Sequence, residues 1–512
     1  MAKSQLKIGA IMSYINMAIG SLIPMFYTPL MLDLLGQSEY GLFKLANTVT
    51  SYLSLLSFGI GSAVVRYLMM YHSKGDTEGE AKMFGLFNII FTSISCVVII
   101  LGIILGMNIH CFYGSSLNDY ELTQLKIMVI LFAINTAITF TSITYTSSVM
   151  CHERFLFLQF VSIMITIVTP VINLIALFLG FKSVGLVVST LIVSILIRII
   201  YTIYVRVSIK IKPCYKDMPV HLIKELLVFS FWVFLGNIVN QLYSATDTMI
   251  IGAVPALATI GVAIYNVGAT FNNMMLNFTT GISNVVTPRI NNMVFSGSNT
   301  DELTDLLIKV GRLQAYIVTI VCTGFIAFGQ QFINLWAGAE YADAYWVALF
   351  TMVPSCIPLM QAVALNIIVA QNKHRFRSLV YLAIAIINVV GTALCVNEFG
   401  IVGAAVVSCI AYILGQGIVM NLYYWKTIKL DIPRFWGSVI KILLLGIILC
   451  VVALVIIKGI VIDNWFTMFA SIIVYTIIFC ILQWLFAMNE YEKGLFTTPL
   501  KKIIGKVKKQ KA

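Results

Sequence analysis

Asp247 is the acidic side chain set deep in an apolar stretch of this chain. It lies in residues 226–252, LLVFSFWVFLGNIVNQLYSATDTMIIG, which is long enough to cross a bilayer. The same stretch carries Asn237, Asn240, Gln241, Tyr243, Ser244, Thr246 and Thr248. Facing lipid, such groups would cost roughly several kcal/mol each, so they must face other helices or a water-filled cavity. An intramembrane carboxylate can exchange a proton or bind sodium, which makes Asp247 the ion-coupling candidate. The plainer alternative is a structural hydrogen bond, to Asn47 or Tyr27.

Three arginines lie at or near the ends of other apolar runs. Arg66 and Arg289 each close one, and Arg198 lies toward the end of a third. A guanidinium stays charged and grips phosphate with two parallel hydrogen bonds, so the three are candidate phosphate ligands at one mouth of a cavity. Taken singly, each also fits a side chain snorkelling toward headgroups. Asn47, Asn240, Gln241 and Asn273 are the candidate polar lining. They belong to the polar runs, which also hold Tyr14, Asn16, Tyr27, Thr48, Thr50, Asn266 and Asn277. Interhelical hydrogen bonding is the competing role for each of them.

Helices must position these residues. The chain has 512 residues, 60% hydrophobic and 11% charged, with mean hydropathy +0.96. Soluble domains carry about 25% charged residues. Apolar runs of about 20 residues recur throughout, which predicts an all-α polytopic membrane protein. Fourteen spans are expected, near 8–32, 45–70, 83–108, 121–149, 156–180, 184–206, 225–252, 260–287, 313–336, 345–371, 379–397, 401–424, 439–461 and 465–488. With the N-terminus cytoplasmic, about 27 of the 33 basic residues fall on the inner side. The net charge of +12 therefore follows membrane topology and gives no reason to expect nucleic acid. Pro24, Pro29, Pro170, Pro288, Pro354 and Pro358 lie in or beside spans and predict kinks.

The pattern restarts near residue 225. Gly41 and Gly61 are matched by Gly261 and Gly281, Thr50 by Thr270, and Arg154-Phe155 by Arg375-Phe376. Residues 1–224 and 225–438 read as two six-span lobes, 439–488 as two extra spans and 489–512 as a basic cytoplasmic tail suited to anionic headgroups. On this repeat Arg66 and Arg289 are equivalent. The ten cysteines are scattered, with no Cys-x-x-Cys, and read as small buried hydrophobes. No two of the five histidines share a metal-ligand spacing, so no metal or other cofactor is expected. No phosphate-binding loop is present, and no outer loop is long enough to hold a catalytic domain.

Residues 28–68, TPLMLDLLGQSEYGLFKLANTVTSYLSLLSFGIGSAVVRYL, resemble the opening of the Wzx-like polysaccharide-export flippases. These belong to the multidrug/oligosaccharidyl-lipid/polysaccharide (MOP) superfamily. LLGQSEYGL, FGIG and Arg66-Tyr67 carry the likeness, and ATDTMIIG around Asp247 is similar to the start of the family's second half. The resemblance implies a MATE-like fold and a multi-pass location in the bacterial inner membrane, with both termini cytoplasmic. It implies no enzyme activity but movement of an undecaprenyl-pyrophosphate-linked oligosaccharide, for O-antigen, lipopolysaccharide or capsule. Expected partners are that lipid-linked sugar, membrane lipids, a proton or sodium ion, and polysaccharide-assembly proteins. A multidrug antiporter of the same superfamily is the alternative. A membrane polysaccharide polymerase is a more distant one, lacking the outer-loop acid and base groups it would need.

Overall fold

Backbone polar groups in hydrocarbon must be paired within their own segment, so apolar runs of this length fold as helices. The computed structural model describes residues 2–371, 373–459, 462–495 and 497, and among them there is no strand. In chain order the helices are α1 (Ala2–Ser51), α2 (Ile60–His72), α3 (Thr77–Met107), α4 (Ile109–Tyr113), α5 (Asp119–Cys151), α6 (Phe155–Phe178), α7 (Ser183–Tyr204) and α8 (Ile223–Ala253). They continue with α9 (Ala258–Phe295), α10 (Thr300–Trp336), α11 (Ala344–Met360), α12 (Ala362–Ala370), α13 (His374–Tyr412), α14 (Met420–Lys426), α15 (Ile432–Ile457) and α16 (Trp465–Phe486). The basic tail lies outside the described residues after Leu495, apart from Thr497.

Nine helical spans among the described residues are long and apolar enough to cross a membrane, or ten if the bent pair α11 and α12 counts as one. The polar α8 and α9 are not in that set. At 31 and 38 residues they are nonetheless long enough. Two other helices are too long to be single crossings. The 50 residues of α1 would run about 75 Å when straight, against about 30 Å of hydrocarbon. Gly36, at φ 74° and ψ 171°, interrupts α1, and Gly400, at φ 60° and ψ −151°, interrupts α13. An L side chain is strained at either setting, so glycine is what lets the helix turn there. Pro354 and Pro358 lie within α11, and α12 leaves it at 55°. Between the expected eighth and ninth spans the chain is mostly helical, with α9 running on to Phe295 and α10 starting at Thr300. Asp301, Glu302 and Asp305 already belong to α10, which runs unbroken into its apolar half.

Close packing separates two units. The first comprises residues 1–281, 346–351 and 374–415, and the second 282–345, 352–373 and 416–512. In the first, α3 packs on α5, α1 on α6, α5 on α7 and α8 on α13. Its cores include Phe84, Phe87 and Phe91 in one cluster and Leu45, Ile251 and Val262 in another. In the second, α10 packs on α15 and α16 around Phe328, Met468 and Phe479. The opposite face of α15 leaves Leu444, Ile447, Ile448 and Val451 exposed, an apolar surface suited to lipid.

Candidate functional site

Asp247 is 3% exposed and sits near the end of α8, within the first unit. Four neutral side chains converge on its carboxylate. Tyr265 on α9 donates to Oδ2 at 2.6 Å and Ser408 on α13 donates to the same oxygen at 2.6 Å. Asn388 Nδ2 and Thr392 Oγ1, one turn apart on α13, each donate to Oδ1 at 3.0 Å. The turn at Gly400 makes this possible, because it folds α13 back so that Ser408 stands opposite Asn388. The two halves touch at Gly391, where a Cβ would lie only 2.5 Å from Val407 Cγ1.

The proton count of this cluster is short. Ser408 Oγ is 2.6 Å from Asp247 Oδ2 and also 2.8 Å from the amide oxygen of Asn388. One hydroxyl proton serves one acceptor, so one of these oxygen pairs faces without a hydrogen between them. Asp247 Oδ1 and Oδ2, Asn388 Oδ1, Ser408 Oγ and Thr392 Oγ1 are hard oxygen donors gathered around one buried negative charge. Such a set suits a proton or a hard cation.

The partners expected for Asp247 are corrected here. Tyr27 accepts from Asn173 on α6 at 3.2 Å, and Asn16 donates to Ser162 at 2.8 Å, so both tie α1 to α6. Asn47 is exposed on α1 and Asn273 is exposed on α9. Gln241 donates to Ser51 Oγ, and Thr246 bonds the Tyr52 hydroxyl at 2.8 Å, so this face of α8 meets the segment after α1. The side chain of Asn240 lies outside the described residues. Tyr265, Asn388, Thr392 and Ser408 were not singled out from the sequence. Their one local signal is the Asn388–Thr392 pair at helical spacing in an apolar run.

The arginines differ from one another. Arg198 is half-buried, its guanidinium 3.8 Å from the centroid of the Tyr145 ring, and its Nη1 has no hydrogen-bond partner. Arg66 is exposed, 5.9 Å from the Tyr67 ring centroid. Arg289 is exposed and lines a recess of about 360 Å³ with Met293, Ser298, Glu302, Asp305, Leu306 and Lys309. Two of these are carboxylates beside its two cations, and Asp305 pairs with Arg434 at 2.9 Å.

Bent and glycine-broken spans that bring a carboxylate and amide oxygens together inside a helical unit are the architecture of a membrane transporter. Residues 30–346 match the family model described as "Polysaccharide biosynthesis protein", and the chain belongs to that family. No curated protein sequence is significantly similar to it. Among solved structures it is similar to the lipid II flippase MurJ in an inward closed conformation. That match has a TM-score of 0.72 and 15% identity, over 96% of this chain and 99% of MurJ. It is also similar to an inward-facing multidrug resistance MATE family transporter of the MOP superfamily, with TM-score 0.61, 13% identity, and 84% and 99% of the two chains covered. A variant of the Vibrio cholerae MATE transporter VcmN follows, with TM-score 0.57, 14% identity, and 84% and 99% covered. Family and fold together make the chain an all-α, multi-pass membrane protein of the polysaccharide biosynthesis family, with the fold that MurJ and the MATE transporters share.

Proposed function

We propose that this protein is a flippase that carries a lipid-linked oligosaccharide across the bacterial plasma membrane by alternating access, driven by a cation at Asp247. In this reading the chain makes fourteen crossings, has both termini in the cytoplasm and forms no covalent intermediate. The chemistry of the cargo supports it. Sugar hydroxyls and a diphosphate cannot enter hydrocarbon unaided, whereas the lipid tail need not leave it. The family description and the fold shared with MurJ favour this cargo over a drug.

The observation that carries the coupling is the Asp247 cluster. A buried carboxylate with only neutral donors, and with one proton too few among its oxygens, has a place for an exchangeable positive charge. Binding that charge more tightly in one conformation than in the other is enough to bias the transport cycle. Arg66, Arg198 and Arg289 serve in this reading as diphosphate ligands, with Asn47, Asn240, Gln241 and Asn273 lining the polar path. Arg198 is favoured among the arginines because an unfilled, buried Nη1 is available to an oxyanion.

The test is flipping by the purified chain in vesicles carrying a fluorescent undecaprenyl-pyrophosphate oligosaccharide in one leaflet. An imposed sodium or proton gradient should accelerate its transfer. Arg198→Gln should reduce transfer while leaving thermal stability and cation dependence in place. Efflux of a lipophilic cationic dye with no flipping would favour the multidrug antiporter instead.

A further inference from the structure

At one end of the first unit four potential metal ligands come together from three helices. His72 closes α2, Glu80 lies in the first turns of α3, Cys151 closes α5 and His152 caps it. Their ligating atoms all lie within 4.8 Å of one another. His72 Nδ1 is 3.2 Å and His152 Nε2 is 3.6 Å from the two oxygens of Glu80, and the imidazole centroids are 4.3 Å apart. The edge of a tetrahedral zinc site joining nitrogen to oxygen is about 3.3–3.6 Å, given bonds of about 2.0–2.2 Å.

The hydrogen bonds within the cluster leave a place for a cation. His152 Nδ1 is 2.9 Å from the Ser148 carbonyl, which can only accept, so Nδ1 carries the proton. In the neutral ring Nε2 then presents a lone pair to Glu80 Oε1. That oxygen has no hydrogen-bond partner, and Glu80 is 2% exposed. Two buried acceptors facing each other are unfavourable unless something positive lies between them. A carbonyl that orients the far nitrogen is also the usual outer support of a metal-bound imidazole. Lys82, the nearest basic side chain on α3, is occupied by Glu78 at 2.7 Å. Cys151 is 1% exposed, whereas the His72 side chain is 40% exposed and gives the cluster access to water.

We propose that His72, Glu80, Cys151 and His152 form a binding site for a divalent first-row transition metal of the zinc class, which fastens the ends of α2, α3 and α5 to one another. One thiolate, two imidazoles and one carboxylate are a borderline-soft set that prefers Zn(II) to Mg(II) or Ca(II). The histidines are far apart in sequence, which is why spacing alone does not reveal the site.

The test is titration of the purified, chelator-treated full chain with Co(II), followed by Zn(II). One Co(II) per chain should give the visible bands of tetrahedral cobalt and a near-ultraviolet thiolate-to-cobalt band. Zn(II) should abolish both and raise the unfolding temperature. Cys151→Ser should remove the near-ultraviolet band and keep visible absorption. His72→Ala combined with His152→Ala should weaken binding by about 100-fold or more, while Cys450→Ser leaves the spectrum unchanged. The wild-type titration stands whether or not a variant folds. Absence of tetrahedral bands in the wild type, or a thiolate band that survives Cys151→Ser, overturns the site. The readout needs no transport and is independent of the flippase reading.

Discussion

Asp247 in the first unit and Glu492 in the second are both nearly inaccessible, at 3% and 1% exposure, but they are neutralised in different ways. Glu492 receives Arg312 through Nε at 2.6 Å and Nη2 at 2.9 Å, and Tyr316 donates to it at 2.9 Å. It also closes a small capping box, in which the Asn489 N–H donates to Glu492 and the Glu492 N–H donates to Asn489, each at 2.9 Å. Arg312 in turn donates to the carbonyls of Ser438 and Ala487. Every strong group there has a fixed partner. Asp247 has four hydrogen bonds, all from neutral donors. A buried ion pair can rest with its charges cancelled, whereas a buried lone charge is costly until something mobile cancels it. The first arrangement ties α10 to the start of α15 and the end of α16, and the second suits a charge that comes and goes.

The largest effect should come from removing the charge of Asp247. Asp247→Asn should bring gradient-driven flipping down to that of empty vesicles while the protein stays folded and still binds the lipid-linked sugar. Undiminished gradient-driven flipping by this variant would reduce Asp247 to a brace and erase the contrast with Glu492.

Glu492→Gln should have the opposite profile. Leaving Arg312 buried without its carboxylate should cost about 3–5 kcal/mol of stability, read as a lowered unfolding midpoint in micelles. Cation-dependent flipping per folded molecule should be little changed. Acid should mimic the substitution. Burial alone raises the Glu492 carboxyl, but Arg312, the Asn489 N–H and Tyr316 outweigh it and hold it below its ordinary value of 4.5. The group therefore contributes stability that is present above that value and lost as pH falls through its lowered one. An unfolding midpoint that declines over this acid range in the wild type but not in Glu492→Gln would verify the assignment.

Asp247 was legible in the sequence because a carboxylate inside an apolar run has few explanations. The helical class, the bend after Pro354 and Pro358 and the family likeness were legible for a similar reason, since each leaves a local trace in composition or proline. Its partners were not. Ser408 and Asn388 meet only because Gly400 turns α13 back, and a glycine inside an apolar run does not announce its φ. The Arg312–Glu492 pair is separated by 180 residues. Tyr27 and Asn16 looked like cavity lining but tie α1 to α6, because a polar side chain in a span has the same appearance in either role.

A matched pair of smaller changes compares the two sites directly. Tyr265→Phe and Tyr316→Phe each remove one hydroxyl that donates to a buried carboxylate, a change worth about 1.5–3 kcal/mol when the acceptor is charged. Tyr316→Phe should lower the unfolding midpoint at every sodium concentration and pH near neutrality. Tyr265→Phe should alter the sodium or proton concentration needed for half-maximal flipping. Identical behaviour of the two variants would mean that both carboxylates are structural.

The smallest and most discriminating effect is expected at Ser408. Its Oγ stands between Asp247 Oδ2 at 2.6 Å and Asn388 Oδ1 at 2.8 Å, with one proton to share between them. When a cation occupies the cluster, the hydroxyl can turn its proton to Asn388 and offer a lone pair to the ion. Ser408→Ala then removes one oxygen from the set but leaves the carboxylate, Thr392 and Asn388. The expected loss is about 1 kcal/mol, roughly a five- to tenfold rise in the cation concentration for half-maximal flipping, with the maximal rate preserved. Ser408→Thr keeps the oxygen and should restore most of the affinity if the added methyl is accommodated. If Ser408 were only a donor to a permanent carboxylate, the outcome would differ in kind. Ser408→Ala would then lower thermal stability equally with and without the cation, and the half-maximal concentration would not move. Measuring stability and activation on the same preparation across a sodium and a proton series separates the two results.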